Sequence, residues 1–165
     1  MKKILSILIV LTITVTSIIP ANANIAFTET TGTIVKETTE YFSDGSYIVT
    51  TISDETTGMP STRASMYTKT GTKTHTAYNS NDEELWSFTV RGYFLVNPGI
   101  QTSCTSASYT IDITEDAWSN KSASATKSSN KAIGTATFIK KLLGVTVSTR
   151  EITVTLTCDA NGNLS

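Results

Sequence analysis

Ile152 to Cys158 reads I-T-V-T-L-T-C, with Ile152, Val154, Leu156 and Cys158 alternating with Thr153, Thr155 and Thr157. A strand points successive side chains to opposite faces, so this period of two predicts one buried and one wet face. The pattern recurs along the chain in short runs separated by turn residues. Ile34 to Phe42 and Tyr47 to Ile52 flank Ser43-Asp44-Gly45-Ser46, and an Asp-Gly turn between β-prone runs predicts a hairpin. Tyr67 to Tyr78 alternates threonine with mixed residues around Gly71, and Asn79-Ser80-Asn81-Asp82 follows as a polar turn. Leu85 to Val96 places Trp86, Phe88, Val90, Phe94 and Val96 on one parity, with Gly92 as a bulge or close-approach point. Leu85, Tyr93 and Leu95 fall on the other parity, which predicts burial of both faces in its second half. Asn97-Pro98-Gly99 is the next turn.

Ile100 to Thr114 changes parity midway: Cys104 is even, whereas Tyr109, Ile111 and Ile113 are odd. One extra residue between Thr105 and Ser108 would reconcile them, because a bulge flips the register. Trp118 to Thr126 and Ala132 to Lys140 form a predicted hairpin about Ser128-Ser129-Asn130, and Leu142-Leu143-Gly144 returns the chain into Val145 to Cys158. Asp159-Ala160-Asn161-Gly162 is turn-like. No stretch beyond the N-terminal segment sustains a helical period. Threonine suits half-exposed strands, where the β-branch favours extended backbone and the hydroxyl meets water. The expected fold is all-β, an antiparallel β-sandwich.

The N-terminus has a different character. Lys2 and Lys3 precede a 16-residue apolar stretch, Ile4 to Ile19, then Pro20 and Ala21-Asn22-Ala23. This is the layout of a bacterial signal peptide with an A-x-A cleavage site, and the stretch is shorter than the roughly 20 residues a membrane-spanning helix needs. Residues 1–23 are therefore expected to be removed near Ala23-Asn24 and the protein secreted, with no stable membrane anchor. The remaining 142 residues carry 11 basic against 14 acidic side chains, a net charge of −3, which gives no case for nucleic acid. Residues 24–65 form an acidic arm: Glu29, Glu37, Glu40, Asp44, Asp54 and Glu55 outnumber Lys36 and Arg63. The arm reads as the hairpin followed by a polar linker from Asp54 to Ser65, and Thr62-Arg63-Ala64 is a candidate site for removing it as a propeptide. Residues 66–165 are then the sandwich domain.

Cys104 and Cys158 are the chain's two cysteines, and in an exported protein they are expected to form a disulfide between strands. Cys104, Trp118 and Cys158, spaced 14 and 40 apart, resemble the Cys…Trp…Cys framework of immunoglobulin sandwiches. Leu156 stands where the tyrosine corner of that family would place Tyr, so the sandwich is immunoglobulin-like in character rather than in strand topology. The segments Tyr78 to Val90 (YNSNDEELWSFTV), Cys104-Thr105-Ser106, Leu142 to Val145 and Leu156 to Ser165 (LTCDANGNLS) also resemble a group of small exported proteins of Gram-positive bacteria. That resemblance supports a boundary at residue 66 and implies nothing about chemistry.

Candidate chemistry is sparse. His75 is the sole histidine, lies between Thr74 and Thr76, and has no G-x-S-x-G elbow beside it, so it is expected to face solvent on a strand. Thr155 to Cys158 resembles the T-L-x-T-C signature of sortases, but the spacer is missing and no arginine follows. Asp159-x-Asn161-Gly162-Asn163 and Asn81 to Glu84 offer oxygen ligands without the glycine and glutamate placement of a calcium loop, and zinc lacks ligands. No cofactor or metal is expected. Lys121, Lys127, Lys131, Lys140, Lys141 and Arg150 outnumber Glu151, the one acid between Ala117 and Glu151, and are the candidate anion-binding residues. Tyr67, Tyr78 and Tyr93 are candidate stacking surfaces for sugar. The expected function is a secreted, non-catalytic module binding an anionic cell-wall polymer or another protein. Two alternatives stay open: a membrane-active toxin assembling through Tyr67 to Tyr78, and a protease inhibitor or an enzyme of unrecognised type.

Overall fold

The computed structural model of the chain describes residues 32–57 and 65–165. The expected signal peptide and the candidate cleavage site at Thr62-Arg63-Ala64 lie outside the described residues. Eight strands follow in order: β1 (Thr33–Tyr41), β2 (Tyr47–Asp54), β3 (Tyr67–Tyr78), β4 (Glu84–Asn97), β5 (Gln101–Ile113), β6 (Trp118–Ser128), β7 (Lys131–Leu142) and β8 (Val145–Thr157). Every pairing is antiparallel, and no helix occurs among the described residues.

The strands form a five-stranded sheet, β1-β2-β3-β4-β5, and a three-stranded sheet, β6-β7-β8. Each sheet is a meander in sequence order, unlike the interleaved strands of an immunoglobulin domain. β6 and β7 pack over β5 and β4, and β8 over β3 and β4. The shared core takes Trp86, Phe88, Val90, Phe94 and Val96 from β4, Phe138 from β7, Val154 and Leu156 from β8, and Trp118 from β6. Gly134 makes the close approach possible: a Cβ there would overlap Val90 and stand 3.0 Å from the Phe88 ring. Gly92 plays the same part opposite Ala132.

The bulge expected in β5 is present. Tyr93 faces Ser106 and Phe94 faces Cys104, which leaves Thr105 as the extra residue. Cys104 thereby shares the inner face with Ala107 and Ile111, both packed against the core. The second half of β4 departs from expectation: Tyr93 and Leu95 are exposed, because no layer among the described residues covers the outer face of the five-stranded sheet.

The expected Cys104–Cys158 disulfide is absent: both residues are buried free thiols. The Ser129-Asn130 turn stands between them, its two carbonyls accepting the backbone N–H groups of Cys104 (2.8 Å) and Cys158 (3.1 Å) respectively. The thiols turn to carbonyls close by in the chain, Cys104 Sγ donating to Ser106 (3.3 Å) and Cys158 Sγ to Asp159 (3.7 Å). Trp118 accordingly packs against Trp86 rather than against a cystine.

The acidic hairpin is built into the large sheet. β2 pairs with β3 along its whole length, from Tyr47 opposite Tyr78 to Asp54 opposite Gly71. The first residues of the expected linker are stitched down as well. Asp54 pairs with the buried Lys69, Glu55 with Arg91 (3.0 Å), and Thr56 with the backbone of Thr70.

Candidate ligand-binding groove

The sheets differ in width, and the difference creates the site. The small sheet ends at β8 over β3, so β1 and β2 extend as a shelf beyond it. Between the shelf and β8 lies an open groove of about 570 Å³.

Its aromatic floor is set by the period-two pattern of β4. Trp86 falls on the inner parity, stacks on Phe138 at 4.1 Å between ring centroids, and meets Trp118 edge-on at 6.3 Å. Both tryptophans line the groove, and both indole N–H groups are buried without an acceptor among the described residues. An indole N–H can only donate, and a buried donor without an acceptor costs about 1–3 kcal/mol. On the shelf side Ile48, His75 and Ala77 line the groove, with Tyr47 and Tyr78 at its end. Tyr47 stacks on Tyr78 at 4.9 Å, and its hydroxyl donates to Asp82 (2.9 Å).

Charged residues occupy the rims. Lys140 lies 3.4 Å from Glu115, with its ammonium 6.0 Å from the Trp118 ring centroid. Arg150 reaches across from β8 to the β1–β2 turn, 3.7 Å from Asp44 and 5.0 Å above the Phe42 ring. Glu40 and Glu151 also line the groove. Among the lining residues two cations thus stand against three carboxylates, Glu40, Asp44 and Glu151, with Glu115 behind Lys140, and the groove has no strong positive field.

His75 is on the inner face rather than in solvent. β3 sets it opposite Phe88, a core residue of β4, and opposite Thr50 of β2. Burial, with Lys73 adding to it, lowers its pKa from 6.5 to about 4, so the imidazole is neutral at pH 7.

The six candidate basic residues do not form one face. Lys140 and Arg150 line the groove. Lys127 sits at the far end of β6, where it donates to the Thr105 carbonyl (2.7 Å). Lys121 occupies the β6 bulge, and Lys131 and Lys141 lie elsewhere on the exposed surface of β7. Of the three candidate tyrosines, Tyr78 lines the groove, Tyr93 is exposed on the outer face, and Tyr67 packs at the other end against Gly162.

The oxygen-rich turns spend their carboxyl and amide groups on themselves. Asp159 accepts from the backbone of Asn161 and Asn163 (2.8 Å each) and from the Asn163 side chain (2.8 Å). Asn79 does the same for Asn81 and Glu83 (2.9 and 3.0 Å). Among the described residues no three His, Cys, Asp or Glu side chains converge as a metal ion would require. The thiols are shielded too: burial raises both, Cys158 to about 11, far from the thiolate a nucleophile needs.

The sequence pointed to the basic residues and to exposed tyrosines; it did not single out the Trp86–Trp118 pair, which reads along the chain as ordinary core. Comparison with known proteins found no matching family model, no matching curated protein and no matching solved structure.

Proposed function

We propose that the chain is an exported, non-catalytic binding module that takes a hydroxyl-rich segment of a cell-envelope polymer into the groove between its sheets. The observation that carries this reading is the aromatic lining of the groove, Trp86 and Trp118 with Tyr47 and Tyr78, whose two indole N–H groups lie buried behind that lining with no acceptor among the described residues. Buried polar groups are nearly always paired, so two orphan donors beside an aromatic-lined groove call for an explanation, and an acceptor brought by a ligand supplies one. Sugar hydroxyls supply acceptors, and the apolar face of a sugar ring suits aromatic walls. The mixed rim charges favour a neutral or zwitterionic segment over a polyanion, with Lys140 and Arg150 orienting it.

Co-sedimentation with purified Gram-positive cell walls tests the reading. Binding is expected to persist at high salt, to fall when Trp118 becomes Phe or Arg150 becomes Gln, and to survive Gln at Lys121, Lys127, Lys131 and Lys141. Binding that vanishes with salt and with those four lysines would replace the groove by a diffuse basic surface. Release of shortened polymer would overturn the non-catalytic half.

A further inference from the structure

The β7–β8 hairpin ends in an apolar crest that the fold does not require. Leu142 and Val145 face each other across a two-residue turn of Leu143 and Gly144, and Val147 follows on β8. They are among the most exposed apolar side chains described: Leu142 63%, Leu143 98%, Val145 66% and Val147 55%. Leu143 has φ +49° and Gly144 φ +81°, the left-handed pair of a hairpin turn whose first position favours Asn or Asp. A leucine there is strained and, at the same time, leaves its side chain in water. Folding alone would be served better by an asparagine at this position.

The hairpin is tied to the body of the protein at its base. The Lys141 N–H donates to the Ala117 carbonyl (2.8 Å), so the crest projects beyond the body of the small sheet. The exposed Lys141 sits directly behind the leucines, Lys140 before it turns back to Glu115 and the Trp118 ring, and no acid interrupts the chain from Ala117 to Arg150. Across the base stand Glu115, already paired with Lys140, and the exposed Asp116. A convex aliphatic finger backed by a lysine matches a bilayer interface, where leucines enter the acyl boundary and ammonium groups stay with the headgroups. A protein partner would instead need a pocket to receive the finger.

We infer that this crest is a membrane-contact site and that its partner is a bilayer surface bearing anionic phospholipid. The leucines, valines and Lys141 of the crest lie outside the groove, so the assignment can fail separately from the groove reading. The test is flotation of the protein with vesicles of phosphatidylcholine alone or of phosphatidylcholine with phosphatidylglycerol, beside the variants Leu143→Asn, Leu142→Ser/Leu143→Asn and Lys141→Gln. The protein is expected to float with the anionic vesicles, and the double variant to bind at least about tenfold more weakly. Leu143→Asn is expected to hold or raise the thermal midpoint, since Asn accepts the left-handed conformation, which separates loss of binding from loss of fold. Lys141→Gln is expected to weaken anionic binding by a few fold at low salt. Failure to float with anionic vesicles, or a double variant that floats as the parent does, would overturn the assignment. Equal flotation on both vesicle types would overturn its anionic component.

Discussion

His75, the two thiols and the two indoles each make a claim that one substitution or one titration checks. In the unfolded chain His75 takes its proton near pH 6.5, whereas in the folded protein it does so near 4. A lowered histidine pKa means the folded state resists protonation, so stability is full above pH 6.5 and declines as pH falls toward about 4. Asp44, Asp54 and Asp159 have pKa values below the ordinary carboxylate value, so their contributions are lost at lower pH than this window. Thermal midpoints measured from pH 7 to pH 4 are expected to fall, and His75→Gln is expected to flatten the decline; an unchanged slope would place the imidazole in solvent. Cys104 and Cys158 are expected to be silent to a thiol reagent in the native protein and to yield two equivalents in denaturant. Zero equivalents after unfolding would mean a disulfide. Trp86→Ala is expected to cost about 3–5 kcal/mol because it empties the stack on Phe138. Trp118→Phe, which removes an unpaired donor and keeps a ring, is expected to cost far less in chemical denaturation.

At the scale of the strands, the packing depends on backbone approach as much as on bulk. Gly134→Ala pushes a methyl into Val90 and Phe88 and is expected to cost about 1–3 kcal/mol, read as a lower urea midpoint. The strands themselves were legible in the sequence. The Asp-Gly hairpin, the 67–78 strand, the turn at Ser129-Asn130 and the bulge near Cys104 all follow from period two and turn chemistry, and each is present. Which side of β3 is inside was not legible, because Thr74, His75 and Thr76 are polar in both registers. Only pairing with β4 decides it, by setting His75 opposite Phe88. The outer exposure of Tyr93 and Leu95 was hidden for the same reason: one strand's pattern does not say whether a second layer covers its other face. The cysteine pairing failed because two residues on buried parities need not approach, and here the β6–β7 turn comes between them.

For the whole molecule, the unequal sheets explain both integration of the N-terminal hairpin and the existence of the groove. β1 and β2 supply one wall and Asp54 supplies the partner of buried Lys69. A chain beginning at Met66 would expose the edge of β3 and leave that lysine unpaired, at an expected cost of about 3–5 kcal/mol. Its thermal unfolding, compared with that of the longer chain, measures the loss; equal midpoints would mean that the hairpin is an appendage. The Arg150–Asp44 pair is exposed, so Arg150→Gln is expected to leave the thermal midpoint nearly unchanged while loosening the rim. The groove itself is tested most directly by titrating solubilised, uncharged wall glycan into the protein and into Trp118→Phe while following tryptophan fluorescence and heat. The account predicts saturable, salt-insensitive binding with a tryptophan signal, weakened about tenfold or more when the Trp118 N–H is removed. No saturable binding, or equal affinity in the two proteins, would contradict it.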